Sequence, residues 1–205
     1  QGEIGEIRVI HGVYGFPSPF QPDKRIFNKD LGGGGILDVG CYPVSFTRMV
    51  VGAVLGRPFA DPLDVQAYGH IGSTGVDEWT VAVAKFENDI AAQWTTGVTI
   101  RYENGIRIYG TRGCIHIPHA HHPAHWGGET TLTMSRERTV PVQQLTVKAE
   151  KPLFTYAIEG FAQAVLEGKT QVDPPGMTWD DSLGNMRTMD AWRQRIGLRY
   201  AADGE

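Results

Sequence analysis

The chain has 205 residues, 41% hydrophobic and 20% charged, with a formal net charge of −4 and a pI near 6.0. Ordinary apolar and charged fractions exclude a disordered tail, and the want of a Gly-X-Y period excludes collagen. Mild acidity without a Lys/Arg run argues against a nucleic-acid partner, and no window nears the ~18 consecutive apolar residues of a membrane span. Glu6–Tyr14 mixes β-branched residues with alternation and predicts a strand. Gly15–Asn28, rich in Pro, Gly and polar residues, predicts a loop. The run Gly32–Gly35 then opens a helical stretch in which Ile36, Val39, Tyr42, Phe46, Met49 and Val50 recur at three- and four-residue steps. Pro43 inside it predicts a kink or a late start to the regular turns.

From Asp64 to about Val147 come seven short β-rich runs with turn signals between them. Asn88–Asp89 and Gly110–Gly113 sit at hairpin distance, and connections this short demand antiparallel pairing. Two helices close the chain. The first carries Leu153, Ile158, Phe161, Ala162 and Val165 on one face and stops at Gly168; the second starts at Thr178, with Asp181 placed for a capping box, and runs to about Ile196. The fold class is therefore α+β: a mainly antiparallel open sheet with helices packed on one face, residues 1–205 forming one domain. Tryptophans 79, 94, 126, 179 and 192 are dispersed, so core or interface packing is expected. Cys41 and Cys114 match no metal or redox spacing, and a reducing cytoplasm is the expected compartment.

The densest chemistry lies in Gly32–Pro43. Asp38 and Tyr42 are four apart, so on a helix their side chains share a face, close to exposed N–H groups that favour negative charge. A phenol titrates near a pKa of roughly 10 and needs a nearby cation to act as an acid or base at neutral pH. Lys29 is the nearest lysine in sequence. The plainer alternative is a turn in which Asp38 caps and Tyr42 packs. A phosphate loop is excluded: the third glycine of G-x-G-x-x-G, counted from Gly33, falls on Asp38, and the Walker Lys-Ser/Thr is missing. Five histidines crowd into His116–His125, but prolines keep the tract from being a helix that would fix ligands, so a solvated loop is expected and no metal site is assigned.

With these residues in hand, the chain resembles the C-terminal half of the Gfo/Idh/MocA oxidoreductases, named for glucose–fructose oxidoreductase and inositol dehydrogenase. GEIGEIRVI resembles the entry to the second domain, and LGGGGILDVGCYPVSF the G-G-G-x-L-x-D-x-G-x-[HY] signature. DEWTVAVAKFENDIAAQ, GTRGCIHI and the closing helices resemble later segments. Cys-Tyr-Pro is most similar to the glucose–fructose oxidoreductase, xylose dehydrogenase and dihydrodiol dehydrogenase group.

The resemblance implies a dinucleotide-binding Rossmann domain N-terminal to this chain, which itself opens on Gln1. That domain would bind NAD or NADP and bring a Lys from an E-K-P motif. Glu150-Lys151-Pro152 spells the motif by coincidence, in a place where the family keeps no catalytic residue. Carried over by position, Asp38 and Tyr42 face the substrate, Tyr42 exchanges its proton, Arg25 orients hydroxyls, and Gly34 and Gly35 lie toward the cofactor. The implied substrate is a sugar, polyol or related carbinol, and the implied assembly a homodimer or homotetramer through the sheet face. The alternatives are a non-catalytic ligand-binding or dimerisation module of the same fold and, ranked last, metal-dependent hydrolysis at the histidine tract.

Overall fold

The computed structural model describes residues 2–136 and 142–204. Strand β1 (Ile7–Gly15) leads through a loop and two 3-10 turns to a π-helical turn at Ile36–Gly40, which passes directly into α1 (Cys41–Val54). Pro43 stands in the first turn of α1, where its missing N–H deprives no α-helical bond of a donor, and the regular turns begin only at Cys41. Seven strands follow: β2 (Asp64–Ile71), β3 (Asp77–Lys85), β4 (Ala91–Gly97), β5 (Gly105–Gly110), β6 (Gly113–Ile117), β7 (Gly128–Ser135) and β8 (Gln143–Ala149). The last expected run began at Pro141, which lies outside the described residues. Helices α2 (Leu153–Leu166) and α3 (Trp179–Arg195) close the chain.

All eight strands form one sheet, in the order β2-β3-β4-β1-β5-β6-β7-β8. Every sequence-adjacent pair from β2 to β4 and from β5 to β8 is antiparallel, as short connections require. Asn88 and Asp89 both take positive φ, 55° and 53°, the backbone of a tight hairpin turn. One pair departs from the expected pattern: β1 runs parallel to β4, Val9 opposite Ala91 through Gly15 opposite Gly97. The long connection between them, carrying α1 and a hairpin, is what permits a parallel neighbour.

Helices α1 and α3 lie on one face of the sheet, over Ile10, Ala82, Ala92, Trp94 and Ile106, all buried. Trp94 and Trp192 are fully enclosed, 5.8 Å apart between rings. Their indole N–H groups donate to Thr47 and Thr80, each at 2.9 Å, so both polar edges are satisfied inside the core. Trp126 and Trp179 lie outside the core and are exposed. At the start of α3 the Thr178 hydroxyl accepts from the Asp181 amide at 3.2 Å, but the Asp181 carboxylate turns to the buried Arg48, so only half of the capping box forms. Helix α2 packs little: of its expected apolar face Leu153 is half-buried, Ile158, Phe161, Ala162 and Val165 are exposed, and only Ala164 is buried. Beside the C-terminal half of α1, an open apolar groove of about 1080 Å³ is lined by Met49, Val54, Ile108, Ile115 and Met134.

Candidate functional site

The site forms at the other end of α1, and two glycines put it there. Gly12 in β1 lies under Pro43, and a Cβ at Gly12 would approach Pro43 Cβ to 2.6 Å. This contact lets α1 start directly on the strand, bringing Tyr42 beside Tyr14 with ring centroids 5.3 Å apart. Gly34 has φ +107°, and a Cβ there would overlap Asp77 Oδ1. Asp77 is fully buried at the start of β3, and its Oδ2 accepts from the Ile36 amide at 2.8 Å. The glycine run is thus closed around a carboxyl group that satisfies one of the free N–H groups at the helix start. Gly35 is buried as well, 3.0 Å from Gly97 Cα by its would-be Cβ, and its carbonyl accepts from Thr96 at 3.2 Å.

Asp38 and Arg25 come together as an ion pair, the Asp38 side chain largely enclosed and that of Arg25 half exposed. The carboxylate does not hydrogen-bond Tyr42, contrary to what a four-residue spacing suggests. Asp38 sits in the π-helical turn, whose wider i→i+5 winding shifts residues four apart off a common face. The charge is still felt, since burial, Cys41 and Asp38 all push the Tyr42 phenol above its ordinary range. Tyr42 is 48% exposed, and among the described residues no side chain hydrogen-bonds its hydroxyl.

The histidine tract supplies a wall that the sequence reading did not anticipate. His121 stacks on Tyr14 at 4.4 Å and meets Tyr42 edge-on at 6.1 Å. Its Nε2–H donates to the Val13 carbonyl at 3.1 Å, which leaves Nδ1 as the unprotonated nitrogen. Burial pushes the His121 imidazole down to about 4, and the Tyr14 phenol is raised chiefly by burial, then by Tyr42 and Asp38. The Tyr14 hydroxyl lies 3.1 Å from His122 Nδ1. Burial and Asp38 raise the Cys41 thiol to about 11. At neutral pH the site therefore holds neutral Tyr42, Tyr14, His121 and Cys41 around the Arg25–Asp38 pair. The signal for the wall was the density of the tract itself, five histidines within ten residues. Among the described residues no group of three His, Cys, Asp or Glu side chains converges as metal ligands. Lys151, of the coincidental motif, pairs with Glu159 at 2.7 Å and plays no part in the site.

The family model for the GFO/IDH/MocA C-terminal domain matches residues 1–116. This chain belongs to that family. It is similar to the trans-1,2-dihydrobenzene-1,2-diol dehydrogenase of Xenopus tropicalis, with 28% identity over 98% of this chain and 57% of that protein. It is 30% identical, over 87% of its length and 50% of the other's, to the dTDP-3,4-didehydro-2,6-dideoxy-alpha-D-glucose 3-reductase of Saccharopolyspora spinosa. A 3-ketoreductase from Actinomadura kijaniata, solved in complex with NADP and TDP-benzene, superposes with a TM-score of 0.76 at 27% identity, covering 95% of this chain and 55% of the other. The chain thus spans only about half the length of the relatives it matches. No helix among the described residues is long and apolar enough to cross a membrane.

Proposed function

We propose that residues 1–205 form the substrate-facing domain of an NAD(P)-dependent oxidoreductase that interconverts a carbonyl and a carbinol on a sugar, polyol or related ring. A dinucleotide-binding domain is supplied by another part of the protein. The carrying observation is Tyr42, half exposed, its hydroxyl without a hydrogen-bond partner among the described residues and next to the Arg25–Asp38 pair. The residues fit the reacting end of a dinucleotide and not its phosphates, because the glycine run is filled by Asp77 rather than left open as a phosphate cradle. Gly34 and Gly35 serve the cofactor end through the turn they make. The nicotinamide, when bound, supplies or takes up the hydride at its C4.

The chain's own residues handle the proton. With its phenol raised by burial, Tyr42 is protonated at neutral pH and donates that proton to the carbonyl oxygen as hydride reaches carbon. In the oxidative direction Tyr42 must lose its proton first; Arg25, the cation beside it among the described residues, is committed to Asp38, so in this reading a lysine of the dinucleotide-binding domain supplies the charge. Asp38 and Arg25 present an acceptor and a donor fork to neighbouring hydroxyls. The open face of the sheet, exposing Tyr68 and Val83, is where copies associate in this reading.

The test uses the full-length protein and its Tyr42→Phe variant in NAD(P)-linked turnover of aldoses, inositols and their keto forms. The variant is expected to lose about 10²–10⁴-fold in kcat with KM little changed. Unchanged turnover would remove Tyr42 from the mechanism.

A further inference from the structure

From Tyr42 a file of aromatic rings leads out of the site to the surface. Tyr14 meets Tyr42 at 5.3 Å between centroids, His122 meets Tyr14 at 5.5 Å, His125 meets His122 at 5.6 Å, and Trp126 meets His125 at 4.5 Å. The file ends on Trp126, which is 83% exposed, and the exposed Phe154 ring also meets His125, at 5.5 Å. A single exposed indole needs no explanation, but one that terminates a continuous run of ring contacts starting at the reacting group does.

We propose that this file is a subsite for a second, uncharged ring of the substrate, joined to the ring whose carbinol reacts at Tyr42. The inference rests on the reading of Tyr42 as the proton-exchanging group. Aromatic faces attract the C–H face of a pyranose or the face of an aryl ring, and histidine edges add hydrogen bonds to hydroxyls. The charge state narrows the class further. Tyr14, Trp126 and Phe154 carry no charge, and burial lowers the His122 imidazole, so what the file offers a ligand is ring faces rather than a fixed cation. A neutral glycosyl or aryl group fits a lining built of ring faces.

The test is calorimetric binding to the full-length protein of methyl β-D-glucopyranoside, phenyl β-D-glucopyranoside and cellobiose, with the galactose- and xylose-based series beside them. In at least one series the phenyl or glycosyl member is expected to bind about tenfold tighter than the methyl member, the worth of one good aromatic contact. Trp126→Ala should remove that advantage while leaving the methyl glycoside unaffected. Trp179→Ala, an exposed tryptophan elsewhere, should keep it. Which of the two larger probes gains distinguishes an aryl from a glycosyl occupant. Equal binding of methyl and larger members in the unaltered protein, or an advantage that survives Trp126→Ala, overturns the inference. If methyl glycosides bind and Tyr42→Ala abolishes it, the reading of Tyr42 stands even then. If no pyranoside binds, the inference falls, while the reading of Tyr42 is decided separately by the turnover of the Tyr42→Phe variant.

Discussion

Replacing Asp77 with Asn keeps an acceptor for the Ile36 amide, 2.8 Å from the carboxyl oxygen, and removes a titrating group from the core. Burial raises the Asp77 carboxyl to about 7, with backbone N–H groups of Ile36 and Gly35 opposing it only in part. In the unfolded chain the same group titrates near a pKa of roughly 4. Between those values the folded protein keeps a proton that the unfolded chain has lost, so stability is full at low pH and falls as pH rises. The slope is at most about 1.4 kcal/mol per pH unit, which accumulates to about 4 kcal/mol by pH 7.

His121 acts in the opposite sense. Its imidazole is pushed down to about 4 by burial, while an unfolded histidine titrates near a pKa of roughly 6.5. Across that window the unfolded chain binds the extra proton, so stability rises with pH, by up to about 3 kcal/mol. The two effects offset one another from about pH 4 to 6.5, and only the Asp77 effect continues toward 7. Asp77→Asn should therefore expose a rising limb, and His121→Phe a falling one. Urea midpoints at pH 4.5, 5.5, 6.5 and 7.5, followed by fluorescence of the enclosed Trp94 and Trp192, give the slopes directly. A parallel offset of both variants from the unaltered protein, with no change of slope, would refute the reasoning.

Arg48 is fully buried, donating to Asp61 at 2.7 and 2.9 Å and to the Asp181 carbonyl at 2.9 Å. Arg48→Met should cost about 3 kcal/mol, the low end for breaking a buried pair because Asp61 is partly solvated; a shift in urea midpoint below a third of that size would contradict it. Gly34→Ala combines φ +107° with overlap on Asp77 and should cost on the order of 2–4 kcal/mol. Gly56→Ala, with φ +70° and open space around it, should cost about 1–2 kcal/mol, and equal losses at the two positions would show that strain alone decides.

How much of this could be read from the sequence followed how local each cause was. The hairpins were legible because Asn88–Asp89 and Gly110–Gly113 carry turn chemistry within a few residues. The parallel pairing of β1 with β4 was not, because no local pattern couples Val9 to Ala91. Asp38 and Tyr42 stood out as a motif, yet their relation changed once the π-helical turn rotated one against the other. Tyr14 and the histidines were missed for the same reason as the parallel strand. Tyr14 looks like any inward residue of a strand, and only its contact with His122, 108 positions away, gives it a place in the site.

The glycine excess shows how such long-range causes leave a local mark. Gly34 is required by a carboxyl group from β3 and Gly12 by a proline from α1, partners invisible at either position. Both contacts act on one continuous helical entry: Asp77 holds the π-helical turn at Ile36, and Gly12 lets the first turn of α1 settle on β1 at Pro43. The orientation of Tyr42 is thus set by the core rather than by a loop. Changes at Asp77 or Gly12 should therefore disturb stability and proton exchange together, whereas changes along the exposed file from His122 to Trp126 should alter ligand preference and leave stability nearly untouched.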